Sequence, residues 1–375
     1  MRIAIVIDSF VRGGAERQAL YAARELALRG CEVEVIYYYE MPGSYDLALG
    51  GKAKFTYLPK RGTYIRFFFR LWRYLKRNRF DVVHAYKSIA CIYGCMAAAL
   101  AGVPVVFGGY REQYTLRGVA RLGHRLMNRF VTGWIVNSRG IADTLVAGIG
   151  ANPERISVVY NGIEGGAFAS DLSPEQAREV LSLPPDAQVV SIIGRLRPEK
   201  NHEMFLRMAN CVRRELPSAV FLVVGDGPME SALHKLAASL GIEDAVRFLG
   251  LRDDIGDLLA ATDVCVVTSP REGLANSLVE AMSVGVPVIS TDYTGVEEVV
   301  SDDVEGFVVP RDDAEAMAAR VVLLLADDSL RKRMGAAGIK RVAKQFGLGV
   351  MGGRLHQVYS DHLQEARHRS RGRSR

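Results

Sequence analysis

Two successive series of short apolar runs, each run separated from the next by a helical pattern, constrain the fold of this chain most strongly. Alternation of strand and helix favours parallel, doubly wound sheets, because each crossover helix returns the chain to the same edge of the sheet. The first series predicts strands at 2–7, 31–37, 54–58, 81–84, 104–107, 133–136 and 156–159. The second predicts strands at 188–193, 219–224, 246–249, 263–267 and 287–290. We therefore predict an α/β protein with two such sheets, joined by a linker at about 161–185.

Length and composition fit two domains, because 375 residues with 49% hydrophobic content can fill two cores. The five cysteines, at positions 31, 91, 95, 211 and 265, lack the paired spacing of a zinc site. We expect them to be reduced core thiols of a cytoplasmic protein. No signal peptide or membrane span is expected, because Gly or charged residues interrupt the apolar runs.

Charge is divided unequally along the chain. Residues 1–165 contain 23 Lys and Arg against 12 Asp and Glu, whereas residues 166–375 contain 25 against 30. A basic domain implies an anionic partner for that domain. We expect this partner in the N-terminal half, and we do not expect it to be a nucleic acid.

The loop and helix after the predicted strand 263–267 carry two glutamates, Glu272 in the loop and Glu280 on the helix. Parallel α/β sheets bind ligands at the carboxyl ends of their strands. We expect Asn276 or Ser277 to cap the helix, whose free N–H groups favour an anion. Carboxylates accept hydrogen bonds from sugar hydroxyls, so phosphate and sugar recognition together indicate a nucleotide sugar.

A second phosphate signal follows the predicted strand 188–193, where Gly194, Arg195 and Lys200 lie in one loop. Two fixed cations can compensate the charge of a departing diphosphate without a metal ion, and the alternative is a solvated basic loop. Gly13 and Gly14 follow the first strand and let the backbone approach a phosphate or an acceptor closely, unless they only form a tight turn.

Together these segments resemble the retaining glycosyltransferases of glycosyltransferase family 4, and the resemblance extends through most of residues 1–345. The similar segments are the two glutamates with seven residues between them, 13–16, 159–163, 194–200, 224–228 and 246–250. The family has the GT-B fold, in which two Rossmann-like domains face each other across a cleft. The resemblance therefore implies a GT-B glycosyltransferase that retains the anomeric configuration.

The resemblance also implies roles for individual residues. Glu272 would contact the hydroxyls of the donor sugar, Glu280 those of the ribose, and Arg195 and Lys200 the departing diphosphate. The other donor contacts implied are Gly13, Gly14, Gly194, Arg247, Leu249, Gly273, Leu274, Ala275, Asn276 and Ser277. The donor would be a UDP-sugar, or less often a GDP-sugar, and no other cofactor is expected.

Acceptor contacts are implied for His84, and more weakly for Asn137 and Arg111. His84 is open to a second interpretation as a hydrogen-bonded histidine at a strand end, because Tyr86 replaces a histidine that the family often has. The general base is left open. No metal site is expected, because the acidic pairs 253–254 and 312–313 lie at predicted helix starts, where they can serve as caps.

We predict an acceptor-binding domain at 1–165 and a nucleotide-sugar domain at 166–345. A helix at 346–366 would pack back toward the first domain, and a basic tail at 367–375 would be disordered.

The segment 63–77 predicts an amphipathic helix. Its basic stripe would be Arg66, Arg70, Arg73 and Arg77, bordered by Phe67, Leu71 and Tyr74. Its apolar face would be Ile65, Phe68, Phe69, Trp72 and Leu75. A second stripe contains Arg117, Arg121, Arg125 and Arg129. Such surfaces can lie on anionic lipid, although a core-packed helix with a solvated basic face fits equally well.

We therefore predict transfer of a hexose or N-acetylhexosamine from a nucleotide diphosphate sugar to a glycan acceptor. This acceptor would be linked to a lipid, and the product would be part of a lipopolysaccharide or capsule. The enzyme would be cytoplasmic, with a peripheral position on the inner face of the cell membrane if the helix at 63–77 contacts lipid. An epimerase or hydrolase of nucleotide sugars is the alternative enzyme. A lectin-like or nucleic-acid-binding protein is the alternative outside enzymes.

Overall fold

The computed structural model describes residues 1–11, 13–111 and 118–372, and the chain divides into two compact units. Unit 1 comprises Met1–Gly162 and Leu348–Arg375, and unit 2 comprises Ile163–Gly347. Each unit is built on one parallel sheet. The predicted α/β class with two sheets is therefore confirmed.

Unit 1 has a seven-stranded sheet in the order β3-β2-β1-β4-β5-β6-β7. The strands are β1 Arg2–Ile7, β2 Glu32–Tyr37, β3 Lys54–Tyr57, β4 Val82–Tyr86, β5 Val105–Tyr110, β6 Gly133–Val136 and β7 Ile156–Val158. The helices between them are α1 Gly14–Leu28, α2 Tyr64–Asn78, α3 Ser88–Leu100, α4 Gly118–Met127 and α5 Arg139–Ile149. The strand order reverses between β1 and β4, which makes their carboxyl ends the topological switch point of this sheet.

Unit 2 has a six-stranded sheet in the order β10-β9-β8-β11-β12-β13. Its strands are β8 Val189–Ile193, β9 Val220–Val224, β10 Val246–Gly250, β11 Val264–Val267, β12 Val288–Thr291 and β13 Gly306–Val309. Its helices are α6 Pro174–Val180, α7 His202–Glu215, α8 Glu230–Leu240, α9 Ile255–Ala260, α10 Asn276–Ser283, α11 Ala314–Ala326 and α12 Asp328–Gln345. Here the order reverses between β8 and β11.

All twelve predicted strands are present, with ends within three residues of those expected. Strand β13 was not predicted, because its four residues give little periodic signal. Strand β5 extends past Phe107 through Gly108 and Gly109. These positions are glycine because the rings of Trp134 and His84 occupy the space where larger side chains would lie. A Cβ on Gly108 would lie 2.6 Å from Trp134, and one on Gly109 would lie 2.8 Å from His84 Nε2.

The last helix, α13, runs from Leu348 to Gly372 and belongs to unit 1, where it packs against α1. A stripe of residues four apart is buried in the unit 1 core: Met351, Leu355, Tyr359 and Leu363. Helix α13 continues past residue 366 as far as Gly372 and so includes most of the tail that we expected to be disordered. Ion pairs of Arg367 with Asp81 (3.7 Å) and of Arg369 with Glu365 (3.4 Å) accompany the added turns. Residues 373–375 of the expected tail lie outside the described residues.

Helix α2 buries a different face from the one predicted. Phe67, Leu71 and Leu75 are buried, whereas Ile65 and Phe69 are 69% and 52% exposed. Apolar residues occupy several sides of this helix, so contact with α3 and the core selects the buried side. The guanidinium of Arg70 donates to the carbonyl of Pro59, so Arg70 is not part of a freely solvated stripe.

Of the second predicted stripe, Arg117 lies outside the described residues. Arg121, Arg125 and Arg129 are exposed, and they alternate with exposed Leu122 and Leu126 of α4. Within the described part of the chain, every helix is too short or too polar to cross a lipid bilayer.

Candidate active site

Two predicted site residues of unit 2 meet in an ion pair at the switch point of its sheet. Lys200 ends a short 3-10 turn after β8, and Glu272 lies in the loop after β11. Lys200 Nζ lies 2.5 Å from Glu272 Oε1, and the two side chains are 34% and 12% exposed. The hydroxyl of Thr268, at the end of β11, donates to the Lys200 carbonyl at 2.9 Å and fixes the turn. The pair is therefore partly shielded from solvent and still accessible to a ligand.

Arg195 lies beside the same switch point with its side chain about half exposed. Its Nε is 3.7 Å from the carboxylate of Asp226, which follows β9. A surface pair at this distance restrains the guanidinium only weakly, so Arg195 can turn toward an anionic ligand.

The glycines of the loop after β9 have a structural function. Gly225 has φ 135°, and a Cβ there would lie 2.0 Å from the carbonyl oxygen of Gly194. Gly227 has φ 156°, and a Cβ there would lie 2.4 Å from the carbonyl oxygen of Leu196. Only glycine allows this approach, which holds the backbone at Gly194 and Arg195 in place.

Helix α10 begins at Asn276, and its N-cap is Ala275, which makes no side-chain cap hydrogen bond. The predicted cap by Asn276 or Ser277 is therefore wrong, because both residues already lie inside the first turn. The loop residues Gly273, Leu274 and Ala275 are buried, whereas Asn276 and Ser277 are half-buried. Glu280, one turn further along α10, is buried and is only 7% exposed.

Two of the implied donor contacts, Arg247 and Leu249, are on β10, the edge strand of the unit 2 sheet. Arg247 is exposed, and Leu249 is half-buried against a small apolar cluster that includes Leu222. A cavity of about 280 Å³ adjoins both residues and also contacts His234 and Phe248, whose ring centroids are 4.0 Å apart. A larger cavity of about 540 Å³ lies at the amino-terminal ends of β11 and β12, lined in part by Asp263 and Pro287.

In unit 1, Gly13 is the N-cap of α1 and Gly14 is its first residue. Gly13 has φ −165°, an extended conformation. A Cβ on Gly13 would lie 2.5 Å from Glu16 Oε2, so the absence of a side chain leaves room for that carboxylate. Glu16 in turn lies 2.7 Å from Lys87 Nζ, and Lys87 also pairs with Asp8 at 3.0 Å.

His84 is completely buried in the middle of β4, and its Nδ1 lies 2.6 Å from the hydroxyl of Tyr359 on α13. Burial, followed by the charge of Arg111, lowers the pKa of His84 well below its usual value, so the ring is neutral. Tyr359 and the neighbouring strand cover the ring, and an acceptor contact of His84 stays a prediction. The alternative interpretation, a hydrogen-bonded core histidine, describes its environment.

The two weaker acceptor candidates form one network with their neighbours. Arg111 donates to Asn161 Oδ1 at 2.5 Å and to the hydroxyl of Tyr86 at 3.2 Å. Asn137 Nδ2 donates to the Arg111 carbonyl at 3.3 Å, and Asn137 is buried. Ser138, the next residue, caps α5 through its bond from the Ile141 amide. Arg111 remains accessible at the carboxyl end of β5, and Asn137 supports it from below.

Sequence reasoning missed three residues near these switch points: Asp8, Lys87 and Tyr293. Asp8 and Lys87 directly follow β1 and β4, and position alone could have indicated them. Tyr293 is fully buried next to the Glu272 loop, and burial followed by the charge of Glu272 raises the pKa of its hydroxyl. No local pattern marks such a residue.

Residues of the acidic pairs 253–254 and 312–313, which we expected to serve as helix caps, have local partners. Asp254 pairs with Arg252 through two hydrogen bonds at 2.8 and 2.5 Å. Asp313 caps α11 by accepting from the Ala316 amide at 2.8 Å. Across the described ranges, no three His, Cys, Asp or Glu side chains group closely enough to hold a metal ion.

Comparisons with known proteins identify relatives of both units. The family model of group 1 glycosyl transferases matches residues 173–341, and that of glycosyltransferase family 4 matches residues 12–164. A UDP-Gal:alpha-D-GlcNAc-diphosphoundecaprenol alpha-1,3-galactosyltransferase of Escherichia coli is 28% identical over 302 residues, which are 78% of each chain.

A D-inositol 3-phosphate glycosyltransferase of Streptomyces scabiei is 31% identical over 326 residues, which are 80% of this chain and 72% of the relative. Among solved structures, Anabaena HepE in complex with UDP and glucose superposes with a TM-score of 0.85 at 20% identity, covering 96% of this chain and all of the other. At that identity the superposition establishes the fold alone. The chain thus belongs to the group 1 glycosyltransferases of glycosyltransferase family 4, enzymes that use nucleotide sugars, and it has their fold of two Rossmann-like domains.

Proposed function

We propose that this enzyme transfers a hexose or N-acetylhexosamine from a UDP-sugar to a lipid-linked glycan, with retention of configuration and without a metal ion. The Lys200–Glu272 pair at the switch point of unit 2 carries this proposal. In this pair an ammonium of the kind that binds a diphosphate and a carboxylate of the kind that accepts from sugar hydroxyls lie 2.5 Å apart. Structures of HepE with UDP and a galactosyltransferase named for a diphosphoundecaprenol acceptor favour these substrate classes.

The donor would bind between the loops after β8 and β11. The diphosphate competes with Glu272 for the Lys200 ammonium, and the released carboxylate accepts hydrogen bonds from the sugar hydroxyls. Arg195, which is held only weakly by Asp226, turns toward the same phosphates. Glu280 lies on the following helix and accepts from the ribose hydroxyls. Arg247 and Leu249 lie beside the uracil, and GDP-sugars are the second choice of donor.

During transfer, the acceptor hydroxyl forms the new bond to the anomeric carbon on the face from which the diphosphate departs. The departing β-phosphate takes the hydroxyl proton as its bond to the anomeric carbon breaks. Lys200 and Arg195 stabilise the negative charge that grows on this phosphate. No side chain of the donor unit has to act as a base in this scheme.

Thermal unfolding with UDP, GDP and their sugars tests the donor, because a bound ligand raises the unfolding temperature as its concentration exceeds its Kd. We expect UDP to stabilise the protein more than GDP, with or without EDTA. Proton NMR of the product then tests retention through the coupling constant of the new anomeric proton. Inversion, or stabilisation that disappears with EDTA, would contradict the proposed mechanism.

A lipid-linked acceptor requires access to the membrane surface, and we propose that the exposed face of α2 provides it. This face combines Ile65 and Phe69 with four cations: Arg66, Arg73, Lys76 and Arg77. Each basic residue near an anionic bilayer contributes about 1 kcal/mol of binding. The enzyme would then be cytoplasmic and peripheral at the inner face of the membrane.

Co-sedimentation with vesicles of phosphatidylglycerol and phosphatidylcholine tests the membrane contact. A triple substitution to Gln on α2 should release the protein: Arg66, Arg73 and Arg77. A control with the same change in net charge uses exposed cations of α12: Arg333, Lys340 and Lys344. Equal loss of binding in both variants would attribute the association to net charge, and no loss in either would refute a contact through α2.

A further inference from the structure

The switch point of the unit 1 sheet carries a cluster of charged side chains that the donor site does not use. Asp8 follows β1, Lys87 follows β4, and Glu16 lies in the first turn of α1. Lys87 Nζ contacts both carboxylates, at 3.0 Å to Asp8 and 2.7 Å to Glu16. The cluster has one net negative charge; Asp8 and Lys87 are partly accessible, whereas Glu16 is buried. An accessible carboxylate held by an ammonium suits recognition of hydroxyl groups rather than of phosphate alone.

The backbone at Lys87 is unusual, with φ 69° and ψ 154°. Residues with a side chain rarely adopt this conformation, and such strain concentrates at binding and catalytic sites. Glycine would fit the turn without strain. A lysine at this position indicates that its ammonium is needed at the switch point.

Next to this cluster lies an aromatic surface from the loops after β2 and β3, the first turn of α2 and the second turn of α3. The rings of Tyr64 and Tyr93 are stacked, with centroids 4.9 Å apart. The hydroxyls of Tyr39 and Tyr64 are 3.5 Å apart, and Lys60 Nζ lies 3.9 Å from the Tyr64 ring centroid. These residues are half-buried, so each retains an accessible part.

Backbone hydrogen bonds join the two groups. The Tyr39 amide donates to the Asp8 carbonyl at 2.8 Å, and the Lys60 amide donates to the Tyr38 carbonyl at 3.1 Å. The hydrogen bond to Tyr39, burial and nearby charges that include Asp8 raise the pKa of Tyr64 to about 12. The loops that carry the carboxylate cluster and the tyrosines are therefore joined through their backbones.

The chemistry of this surface fits a sugar carrying a phosphate. An aromatic ring packs against the apolar C–H face of a pyranose, and carboxylates accept from its hydroxyls. Within the described residues, Lys60 contacts no carboxylate, so its ammonium can bind an anion. Tyr64 is also the first residue of α2, and Ile65 begins the exposed apolar and basic face of that helix. A lipid chain attached to the phosphate would continue onto this face.

We propose that this surface, formed by Asp8, Lys60, Tyr64 and Lys87, binds the glycosyl diphosphate head of a lipid-linked acceptor. Lys60 leaves the Tyr64 ring to pair with the diphosphate, and the sugar ring packs on the face of Tyr64 that Lys60 vacates. The sugar hydroxyls bond to the accessible carboxylate of Asp8, which Lys87 holds in place. This inference rests on the proposed function, because it specifies the acceptor of the same reaction.

Equilibrium binding measurements distinguish acceptor binding at this surface from donor binding in unit 2. The probes are N-acetylglucosaminyl diphosphate with a farnesyl chain, octyl N-acetylglucosaminide, which lacks the diphosphate, and UDP. We expect Lys60→Gln to weaken binding of the diphosphate glycolipid about tenfold and that of the octyl glycoside less than about twofold. Tyr64→Leu should weaken binding of both glycolipids about fivefold, because ring packing is common to them.

Matched controls use residues of the same types elsewhere on unit 1, Lys52→Gln and Tyr57→Leu, both exposed. These should leave all affinities unchanged, and UDP affinity should be unchanged in every variant. Unaltered binding of both glycolipids in Lys60→Gln and Tyr64→Leu would overturn the proposal, as would wild-type protein that binds UDP without binding the diphosphate glycolipid. Failure of the wild type to bind UDP would instead refute the proposed donor function.

Discussion

Lys87 allows the conformational strain at the unit 1 switch point to be measured. We compare Lys87→Gly with Lys87→Ala, because both substitutions remove the ammonium and its pairs with Asp8 and Glu16. A side chain in this backbone region costs about 1–3 kcal/mol. Glycine avoids that cost but loses about 0.5–1 kcal/mol to the greater freedom of the unfolded chain. We therefore expect the glycine variant to be more stable than the alanine variant by about 1 kcal/mol.

Urea unfolding followed by tryptophan fluorescence measures this difference in the relevant part of the chain. Both tryptophans, Trp72 and Trp134, lie in unit 1, so their emission reports the unfolding of that unit. At equal slope, the shift in midpoint gives the difference in the free energy of unfolding.

The control is the same pair of substitutions at Lys76, an exposed residue within α2. There alanine should be the more stable by about 0.5–1 kcal/mol, because glycine weakens a helix. If alanine were at least as stable as glycine at position 87 too, the backbone there would not be strained, and the argument for a functional lysine would fail.

Three further results are expected. Lys200→Ala and Arg195→Ala should each lower kcat in steady-state assays by a factor equivalent to about 3 kcal/mol, while the donor Kd changes little. The reason is that both charges act mainly on the departing phosphate. A decrease in kcat of tenfold or less in both variants would exclude that role. Glu280→Ala should weaken UDP binding in calorimetry without changing the rate at saturating donor, and unchanged UDP affinity would exclude the ribose contact. Burial, then the charge of Lys200, lowers the pKa of His202 to about 4. As pH falls below about 6.5, the unfolded state therefore binds more protons than the folded state, and the free energy of unfolding decreases. Denaturation at pH 7 and pH 5 should show a loss of about 2 kcal/mol that His202→Leu removes; an equal loss in that variant would refute the assignment.

The sequence by itself determined the periodic and local features of this protein. Strands buried on both faces and separated by helices are encoded in runs of a few residues, and these predicted both sheets. Glu272, Lys200 and Arg195 were found because ligands bind after the strands of such sheets, so position relative to a strand was sufficient. The family resemblance added the roles that periodicity does not encode.

The tertiary structure decided which side of each element is buried and which distant charges meet. His84 became a core residue because Tyr359, 275 positions later in the chain, covers it. Lys87 meets Glu16 across 71 positions, which no local pattern encodes. On α2, the apolar residues are spread around the helix, so only packing against α3 could leave Ile65 and Phe69 exposed. Local sequence sets secondary structure through backbone preference and periodicity, whereas these contacts depend on where the crossovers return the chain.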